Sequence, residues 1–298
     1  MSQTSSHLLF KKAPLPFQGQ KNKWFAQFSE FLDKIECKAS AINKNVCVID
    51  VFGGSGLLSH WSKRLHPSFT VIYNDFDNYS DRIAHIHDVN MMMDDLHKLF
   101  AERDRNKIND KLTPPEVVRL RSFITSHTGY VDEHCLSYWL QFSGAQKRPI
   151  DELLDVNNYY LHIPNNHYNE EEAKHYLDDI KVIHEDASDY HKFQQIIKPL
   201  IPENSITLYI LDPPYLYCDK TGYKTSYFKL ESTIDLINYF INDDYFIFFN
   251  STKSGFTDFI HKLKELIPAI REDFERVDKI TKTNHHATNS EYALIRIT

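Results

Sequence analysis

Glycine and cysteine are both scarce in this chain. Of its 298 residues, 8 are glycine and 4 are cysteine. The cysteines have neither the spacing of metal ligands nor that of a disulfide framework, and the 16 histidines include no HExxH motif. We therefore expect reduced thiols in a reducing cytoplasm, and no metal site. Because glycine is so rare, any cluster of glycines is informative.

Long apolar stretches are lacking as well. The first 17 residues contain no long apolar core of the kind found in a signal peptide. No run approaches the length that spans a membrane. The sequence thus predicts a cytoplasmic protein without a membrane partner. The formal net charge of -7 argues against an indiscriminate nucleic-acid binder, but it leaves room for a local basic groove.

Short apolar segments alternate with helical patterns along most of the chain. With 42% hydrophobic residues, the chain can bury the core of one large domain or two small ones. The predicted strands are residues 46–51, 69–73, 181–184, 205–211, 244–250 and 291–297. The predicted helices are residues 57–66, 188–200, 229–242 and 256–267. Strands that are apolar throughout and separated by helices predict an α/β fold whose mostly parallel sheet is covered on both faces.

One long segment, residues 91–180, interrupts this alternation. Thr113 before two prolines and Asn169 before three glutamates are typical helix starts. We predict that residues 91–180 form an inserted, mainly helical region with an irregular arm. Residues 1–90 and 181–298 would then be the two parts of one sheet domain.

A glycine turn, DVFGGSG at residues 50–56, follows the first predicted strand and opens a helix. Ligands of open α/β sheets bind beyond the carboxyl ends of strands, where glycines allow a close approach. The spacing is not GxGxxG, but Asp75 ends the second strand at the place where an acid commonly holds ribose hydroxyls. These features favour a nucleoside-containing cofactor. The alternative is a tight strand–helix turn with a capping aspartate.

The most unusual segment is DPPY, at residues 212–215, directly after the strand at 205–211. A residue before proline is pushed to extended geometry, so Asp212 should continue straight out of the sheet. Pro213 and Pro214 fix two φ angles and remove two N–H donors, which leaves rigidly placed acceptors. Tyr215 adds a flat aromatic face.

Two acceptors beside an aromatic plane suit an exocyclic amine on a flat heterocycle. Such an amine is a poor nucleophile because its lone pair is delocalised into the ring. Hydrogen bonds that draw its two hydrogens out of plane localise the lone pair, which can then attack an electrophilic methyl group in line. The alternative for DPPY is a proline-stiffened turn with a capping aspartate.

The order of these motifs resembles that of the amino-group DNA methyltransferases. A glycine turn comes first and DPPY lies far downstream, as in the alpha group, typified by Dam-type adenine methyltransferases. The segment PFQGQKNKW, residues 16–24, resembles that family's opening aromatic-x-Gly-x-Lys element. The resemblance implies a Rossmann-like, class I fold and a site-specific, adenine-specific DNA methyltransferase that uses S-adenosyl-L-methionine. It makes residues 1–90 and 181–298 the catalytic domain and residues 91–180 the target-recognition region.

The same resemblance implies a set of cofactor contacts. Lys21 would lie near the cofactor's carboxylate, Asp75 would hold the ribose, and Asp186 would contact the adenine ring. Asp186 could instead cap the helix at 188–200. The full implied set is Phe17, Gly19, Lys21, Asp50, Phe52, Gly53, Gly54, Asp75, Asp186 and Asp212.

The implied catalytic residues are Asp212, Pro213, Pro214 and Tyr215, which would grip the target adenine. Residues 249–256 and 289–295 resemble the strand that lines the target pocket and the family's final strand. Contacts to nucleic acid are predicted in the inserted region and its polar, aromatic arm at 157–169, at Lys147, Arg148, Asn158 and Tyr160. The two basic residues could instead lie on solvated helix faces. The arm departs from the family's pattern at LHIPNN, residues 161–166, so no target sequence is implied.

The implied partner is double-stranded DNA, and a cognate restriction endonuclease is left open. Three alternatives remain: methylation of adenine in RNA, of another planar amine or amide such as a protein glutamine, and a non-catalytic module that only binds. Protein-directed relatives usually carry Asn at the position of Asp212, and enzymes that methylate cytosine's amine usually carry Ser. Intact DPPY argues against a non-catalytic module, because a binding module has no need of an amine-activating ledge.

Overall fold

The computed structural model describes most of the chain, namely residues 9–104, 111–141, 148–155, 158–215, 230–240, 245–252, 256, 262, 274–284 and 287–297. The strands are β1 (Asn45–Asp50), β2 (Thr70–Asn74), β3 (Lys181–Ile183), β4 (Ser205–Leu211), β5 (Tyr245–Ser251), β6 (Glu275–Asn284) and β7 (Ala287–Ile297). The α-helices are α1 (Phe25–Ala41), α2 (Leu57–Leu65), α3 (Tyr79–Ala84), α4 (Ile86–Leu99), α5 (Pro114–Ser126), α6 (Glu133–Leu140), α7 (Ile150–Leu154), α8 (Glu170–Ala173), α9 (Tyr190–Ile197) and α10 (Leu230–Phe240).

The strands form one seven-stranded sheet in the order β3-β2-β1-β4-β5-β7-β6. The pairs from β3 to β5 are parallel, and β7 pairs antiparallel with both β5 and β6. The prediction of a mostly parallel α/β sheet is therefore confirmed. Its physical cause is visible in β1, where every residue from Val46 to Asp50 is buried, as expected of a strand covered on both faces.

The chain reverses direction across the sheet between β1 and β4. After β1 it builds β2 and β3 on one side, and then returns to place β4 and β5 on the other side. The carboxyl ends of β1 and β4 thus flank a topological switch point, the place where open α/β sheets form a crevice.

Helices cover both faces of this sheet. On one face, Phe193 and Ile197 of α9 and residues of α10 pack with Cys47 and Ile49 of β1. On the other face α1 meets α2, where the rings of Phe28 and Trp61 lie 6.0 Å apart. Alternate residues of one strand therefore enter two different cores, which explains why the strand sequence shows no polar side.

The predicted boundaries agree with the observed elements to within a few residues. Among the α-helices and strands, three elements were missed: α1, α3 and the edge strand β6. β6 pairs on one side with β7 among the described residues and its sequence, ERVDKITKTN, is mostly polar. Charged residues are common on edge strands because they oppose pairing with another chain, so the apolar criterion for a strand failed there. The helix predicted at 256–267 falls mostly outside the described residues.

The chain divides by packing into two compact units. One contains Met1–Lys12, Gln20–Tyr79 and Leu177–Thr298, and the other contains Ala13–Gly19 and Ser80–Tyr176. The first unit holds the sheet. Whether the segment 91–180 recognises a target stays a prediction.

The second unit is helical. Its helix α5 begins with a capping box, in which the backbone N–H of Thr113 donates to Glu116 Oε2 at 2.7 Å. Asn169 caps α8 by accepting from the Glu172 N–H at 3.1 Å. Both predicted helix starts are confirmed.

None of the helices in the described ranges is long and apolar enough to cross a membrane.

The core under α9 allows a test of the fold. Ile197 is 0% exposed, so the Ile197→Ala substitution should lower the free energy of unfolding by about 2–5 kcal/mol through lost burial and a residual cavity. Ile42→Ala is the matched control, because Ile42 is 54% exposed, and it should change stability by less than about 0.5 kcal/mol. Urea denaturation followed by circular dichroism measures both. Equal effects of the two substitutions would contradict the described packing.

Candidate active site

A solvent-open cavity of about 480 Å³ lies at the carboxyl edge of the sheet. Loops that follow four parallel strands contribute to its wall, since parallel strands all end at the same edge. The cavity brings together residues that the sequence placed in one site, and these are Phe52, Gly53, Gly54, Asp186, Asp212 and Pro214.

The glycine turn after β1 is shaped by close contact with Tyr73. A Cβ atom on Gly53 would lie 2.2 Å from the Tyr73 ring, so no other residue fits there. The Tyr73 hydroxyl donates to the Gly54 carbonyl oxygen at 2.7 Å and lies 2.9 Å from Asp75 Oδ1. Gly54 and Gly56 have φ angles of 50° and 69°, which glycine adopts at little cost. Glycine is therefore needed at this turn for two reasons: Gly53 has no room for a side chain, and Gly54 and Gly56 have positive φ angles.

Asn74, which the sequence analysis did not single out, holds three loops together. Its Nδ2 donates to the carbonyl oxygens of Val51 and Glu185, both at 2.9 Å. Its Oδ1 accepts from the Glu185 N–H at 2.8 Å. The side chain thus cross-links the ends of β1, β2 and β3 beside the cavity. A buried asparagine at the end of an apolar strand is the signal that could have identified it.

Asp75 and Asp77 have different surroundings. Asp75 is 0% exposed, and its Oδ1 accepts from the Tyr79 N–H at 2.6 Å, at the start of α3. It is not among the residues that line the cavity, whereas the half-buried Asp77 is. The ribose contact assigned to Asp75 stays a prediction, and Asp77 is the carboxylate at the cavity wall that the sequence analysis missed.

Asp186 also lines the cavity, and it does not cap a helix. Its Oδ1 accepts from the Ser188 N–H at 2.8 Å, within a local turn. The cap of α9 is Asp189, whose side chain accepts from the Lys192 N–H at 3.1 Å. The alternative interpretation of Asp186 as the helix cap is therefore wrong.

Asp212 leaves the end of β4 and forms an ion pair with Lys21. The Lys21 Nζ lies 2.6 Å from Asp212 Oδ2, and the side chains are 4% and 18% exposed. The Tyr215 hydroxyl donates to the other carboxylate oxygen, Oδ1, at 3.2 Å. The Lys21 ammonium also lies 5.5 Å from the centre of the Tyr215 ring, within cation–π range. The two motifs that the resemblance joined, PFQGQKNKW and DPPY, thus meet through one charge pair.

Burial and neighbouring charges shift the ionisation of this pair. Burial raises the pKa of Asp212, and the adjacent Lys21 ammonium offsets only part of that rise. Burial alone would lower the pKa of Lys21, but the carboxylates of Asp212 and Glu291 outweigh it and raise that pKa. The surrounding carboxylates thus favour the cationic form of Lys21, and the Lys21 charge favours the ionised form of Asp212.

Asp50, the last residue of β1, is a second buried carboxylate. Burial raises its pKa to about 7, although the Ser59 hydroxyl donates to its Oδ2 at 2.7 Å. Its Oδ1 has no hydrogen-bond partner among the described residues. A buried oxygen atom without a hydrogen-bond donor costs free energy. Asp50 Oδ1 therefore favours binding of a ligand that donates a hydrogen bond to it.

An aromatic and acidic group beside Lys21 was not predicted as part of the site. Trp24 is fully buried and donates through Nε1 to Glu291 Oε2 at 3.0 Å. Its ring packs edge-on against Phe249 at 5.1 Å. Glu291 lies on β7 and Phe249 on β5, so the antiparallel end of the sheet contributes to the site. The resemblance placed 249–256 at the target pocket and made 289–295 the family's final strand, but it gave no role to Glu291.

The remaining predicted cofactor residues, Phe17 and Gly19, belong to the second unit. The Phe17 ring stacks on His134 with centroids 5.5 Å apart, and Gly19 has a φ of 82°. Their contacts with a cofactor stay predictions.

Within the described ranges, no group of three or more His, Cys, Asp or Glu side chains is arranged to hold a metal ion.

The residues predicted to contact nucleic acid lie in or near the irregular arm. Lys147 falls outside the described residues. Arg148 is exposed, and its Nε donates to Gln141 Oε1 at 2.8 Å. Asn158 is exposed, and the half-buried Tyr160 is fixed through its N–H, which donates to the Leu140 carbonyl oxygen at 3.0 Å. Their roles stay predictions.

Comparison with known proteins gives one extensive similarity. The chain is 36% identical over 261 residues to a Haemophilus influenzae protein named "Putative methyltransferase", and the alignment covers 86% of this chain and 81% of that protein. No model of a known protein family matches the chain. The similarity therefore extends over most of both chains.

The close packing of the glycine turn gives a prediction about stability. Gly53→Ala should lower the free energy of unfolding by about 1–3 kcal/mol, because Tyr73 is held by its hydroxyl and cannot yield to the added methyl group. Gly129→Ala is the control, since the new Cβ would meet only the far end of the His127 side chain. Urea denaturation measures both. If the two substitutions prove equally mild, the contact between Gly53 and Tyr73 is not as tight as described.

Proposed function

We propose that this chain, which belongs to the methyltransferase family of its Haemophilus influenzae relative, methylates the N6 amine of adenine in double-stranded DNA. The methyl donor in this proposal is S-adenosyl-L-methionine. The observation that carries it is the position of Asp212 and Pro214: the rigid DPPY segment lines the cavity at the switch point of the sheet. The motif's sequence supports adenine as the target, because the first position is an aspartate.

The chemistry of the cavity wall fits this donor. When bound, S-adenosyl-L-methionine supplies a methyl group on a positively charged sulfur and also carries an ammonium group and ribose hydroxyls. The wall presents the carboxylates of Asp77, Asp186 and Asp212, which suit a cationic, hydroxyl-bearing ligand. The unpartnered Oδ1 of Asp50 offers a further buried acceptor nearby.

The DPPY segment would activate the target amine by accepting its hydrogen bonds. Asp212 Oδ1 and the Pro213 carbonyl oxygen are the two acceptors, and Tyr215 supplies the stacking surface. The Tyr215 hydroxyl now holds Oδ1 at 3.2 Å, a long bond that the amine can replace. With the donor bound, the amine lone pair would form a bond to the methyl carbon while the carbon–sulfur bond broke with its electrons on sulfur. The methylated nitrogen would then release one proton to the Asp212 carboxylate.

The ribose contact belongs to Asp77 in this proposal. Asp77 lines the cavity, whereas the carboxylate of Asp75 is buried and occupied by Tyr73 and the start of α3. Asp75 would then act indirectly, by fixing the loop that carries Asp77.

Transfer of labelled methyl groups tests the proposed function. Incubation with S-adenosyl-L-methionine labelled in its methyl group should label DNA, with N6-methyladenine as the product after digestion to nucleosides, and should leave RNA and protein unlabelled. Asp212→Asn should lower turnover by about 100-fold or more, because the one remaining side-chain oxygen would be drawn to the Lys21 ammonium and an amide N–H group would then face the amine. The matched control is Asp235→Asn, an exposed aspartate on α10.

The outcomes separate the alternatives. Label in RNA or protein but not DNA would replace the proposed substrate. Cofactor binding with no transfer to any polymer would indicate a binding module. Full activity of Asp212→Asn would remove Asp212 from the mechanism.

Paired substitutions test the assignment of Asp77. Asp77→Ala should weaken binding of S-adenosyl-L-methionine about tenfold or more, since hydrogen bonds to charged groups contribute about 1.5–3 kcal/mol. Asp75→Ala should chiefly lower the free energy of unfolding by about 2 kcal/mol, through loss of its capping contacts. Calorimetric titration and urea denaturation distinguish the two effects. Weak binding in Asp75→Ala with unchanged stability would instead support Asp75 as the ribose ligand.

A further inference from the structure

Lys21 lies among several acidic side chains of the candidate active site. The Lys21 ammonium pairs with Asp212 at 2.6 Å and is 4% exposed. Glu291 and Asp50 also act on it electrostatically. These acids come from three different strands: Asp50 ends β1, Asp212 follows β4, and Glu291 lies on β7. The positive charge of Lys21 thus offsets the repulsion between these carboxylates, which would otherwise oppose their close approach.

The groups that face Asp212 have opposing effects. Burial raises the pKa of Asp212, and the carboxylate of Glu291 raises it further. The Lys21 ammonium lowers it by charge and by hydrogen bonding, and the Tyr215 hydroxyl lowers it to a smaller extent. Asp50 and Asp212 repel each other, which also raises the pKa of Asp50. Loss of the Lys21 charge would therefore leave burial and two like charges acting on Asp212.

We propose that Lys21 is a positioning residue that keeps Asp212 ionised, so that methyl transfer can proceed at neutral pH. This inference rests on the proposed function and names a role for a residue that does not itself touch the target amine. Lys21 pairs with Asp212 Oδ2, so the oxygen that would face the amine is Oδ1, which now accepts from the Tyr215 hydroxyl at 3.2 Å.

The protonation state of Asp212 matters at both ends of the reaction. An ionised carboxylate only accepts hydrogen bonds, whereas a protonated one would donate its O–H to the amine's lone pair and block attack. As the nitrogen–carbon bond forms and the carbon–sulfur bond breaks, the nitrogen becomes cationic. The ionised Asp212 can then accept the proton that the nitrogen releases. A neutral residue at position 21 removes the Lys21 charge, which is the strongest interaction that lowers the pKa of Asp212 and keeps its carboxylate ionised.

The direction of the pH effect follows from this arrangement. Asp212 is protonated and inactive below its pKa, and it is ionised and active above it. Replacing Lys21 by a neutral residue raises that pKa, so the acid limb of the rate profile moves to higher pH. Each unit of movement lowers the rate on that limb about tenfold.

Single-turnover rates on adenine-containing duplex DNA, at saturating cofactor and across neutral to alkaline pH, test this inference. Lys21→Gln should reduce the rate at neutral pH about tenfold or more and recover at alkaline pH. Lys21→Arg should restore the wild-type profile. Lys34→Gln is the matched control, because Lys34 is 53% exposed and lies 3.7 Å from Glu275 at the surface. An equal loss of rate at every pH in Lys21→Gln would overturn the inference.

A second measurement does not depend on the substrate. Carbon-13 NMR of protein labelled at aspartate carboxyl groups, with the Asp212 signal identified by its absence in Asp212→Asn, reports ionisation directly. The Asp212 signal should titrate at higher pH in Lys21→Gln, or in Lys21→Met should the glutamine variant not fold. Identical titration in the variant and the wild type would overturn the inference whatever the substrate. A shifted titration without activity on DNA would instead count against the proposed function alone.

Discussion

Parallel pairing makes the central strands of the sheet end at one edge, and this constraint organises the rest of the molecule. Polar residues that follow different strands are brought together there without any need for them to be close in sequence. The reversal of strand order between β1 and β4 opens a gap at that edge. The glycine turn after β1 and the DPPY segment after β4 enter the same cavity for this reason, although about 160 residues separate them.

The carboxylates that meet at this edge carry an energetic cost. Burial disfavours the charged forms of Asp50 and Asp212, and their proximity adds repulsion. Lys21 offsets part of this cost, but removal of one partner from a buried pair typically costs about 3–5 kcal/mol, so the arrangement is sensitive to substitution. Apolar residues in place of a buried ion pair often give equal or greater stability, so stability alone does not explain why charged residues lie here. Clusters of carboxylates with shifted pKa values in a cleft are characteristic of catalytic sites, where a specific ionisation state is needed.

Sequence patterns predicted the parts of the fold that depend on burial. Strands β1, β2, β4 and β5 are apolar throughout because both of their faces are covered, and that property is visible in the sequence. The edge strand β6 was missed because its sequence is mostly polar and its residues Glu275, Arg276 and Asp278 are exposed, so the apolar pattern expected of a strand is lacking.

The site was predicted unevenly for a related reason. Motif order predicted one site for Gly53, Gly54, Asp186 and Asp212, and all four line one cavity because each lies in a loop that follows a parallel strand. It could not distinguish Asp75 from Asp77, because which of two carboxylates two residues apart in a loop lines the cavity depends on the tertiary structure. The pairing of Lys21 with Asp212 was equally hidden, since about 190 residues separate them and charge pairs leave no local pattern.

Comparison of Asp212 with Asp186 shows what the two prolines accomplish. Asp186 satisfies its carboxylate within its own turn, by accepting from the N–H of Ser188 two residues later. The equivalent position after Asp212 is Pro214, which has no N–H, and Pro213 has none either. Asp212 therefore cannot form this turn and must obtain its donors from side chains, which Lys21 and Tyr215 provide. Because side-chain donors can move and backbone donors in a fixed turn cannot, the prolines keep the carboxylate in place while leaving one of its oxygens open to exchange with a ligand.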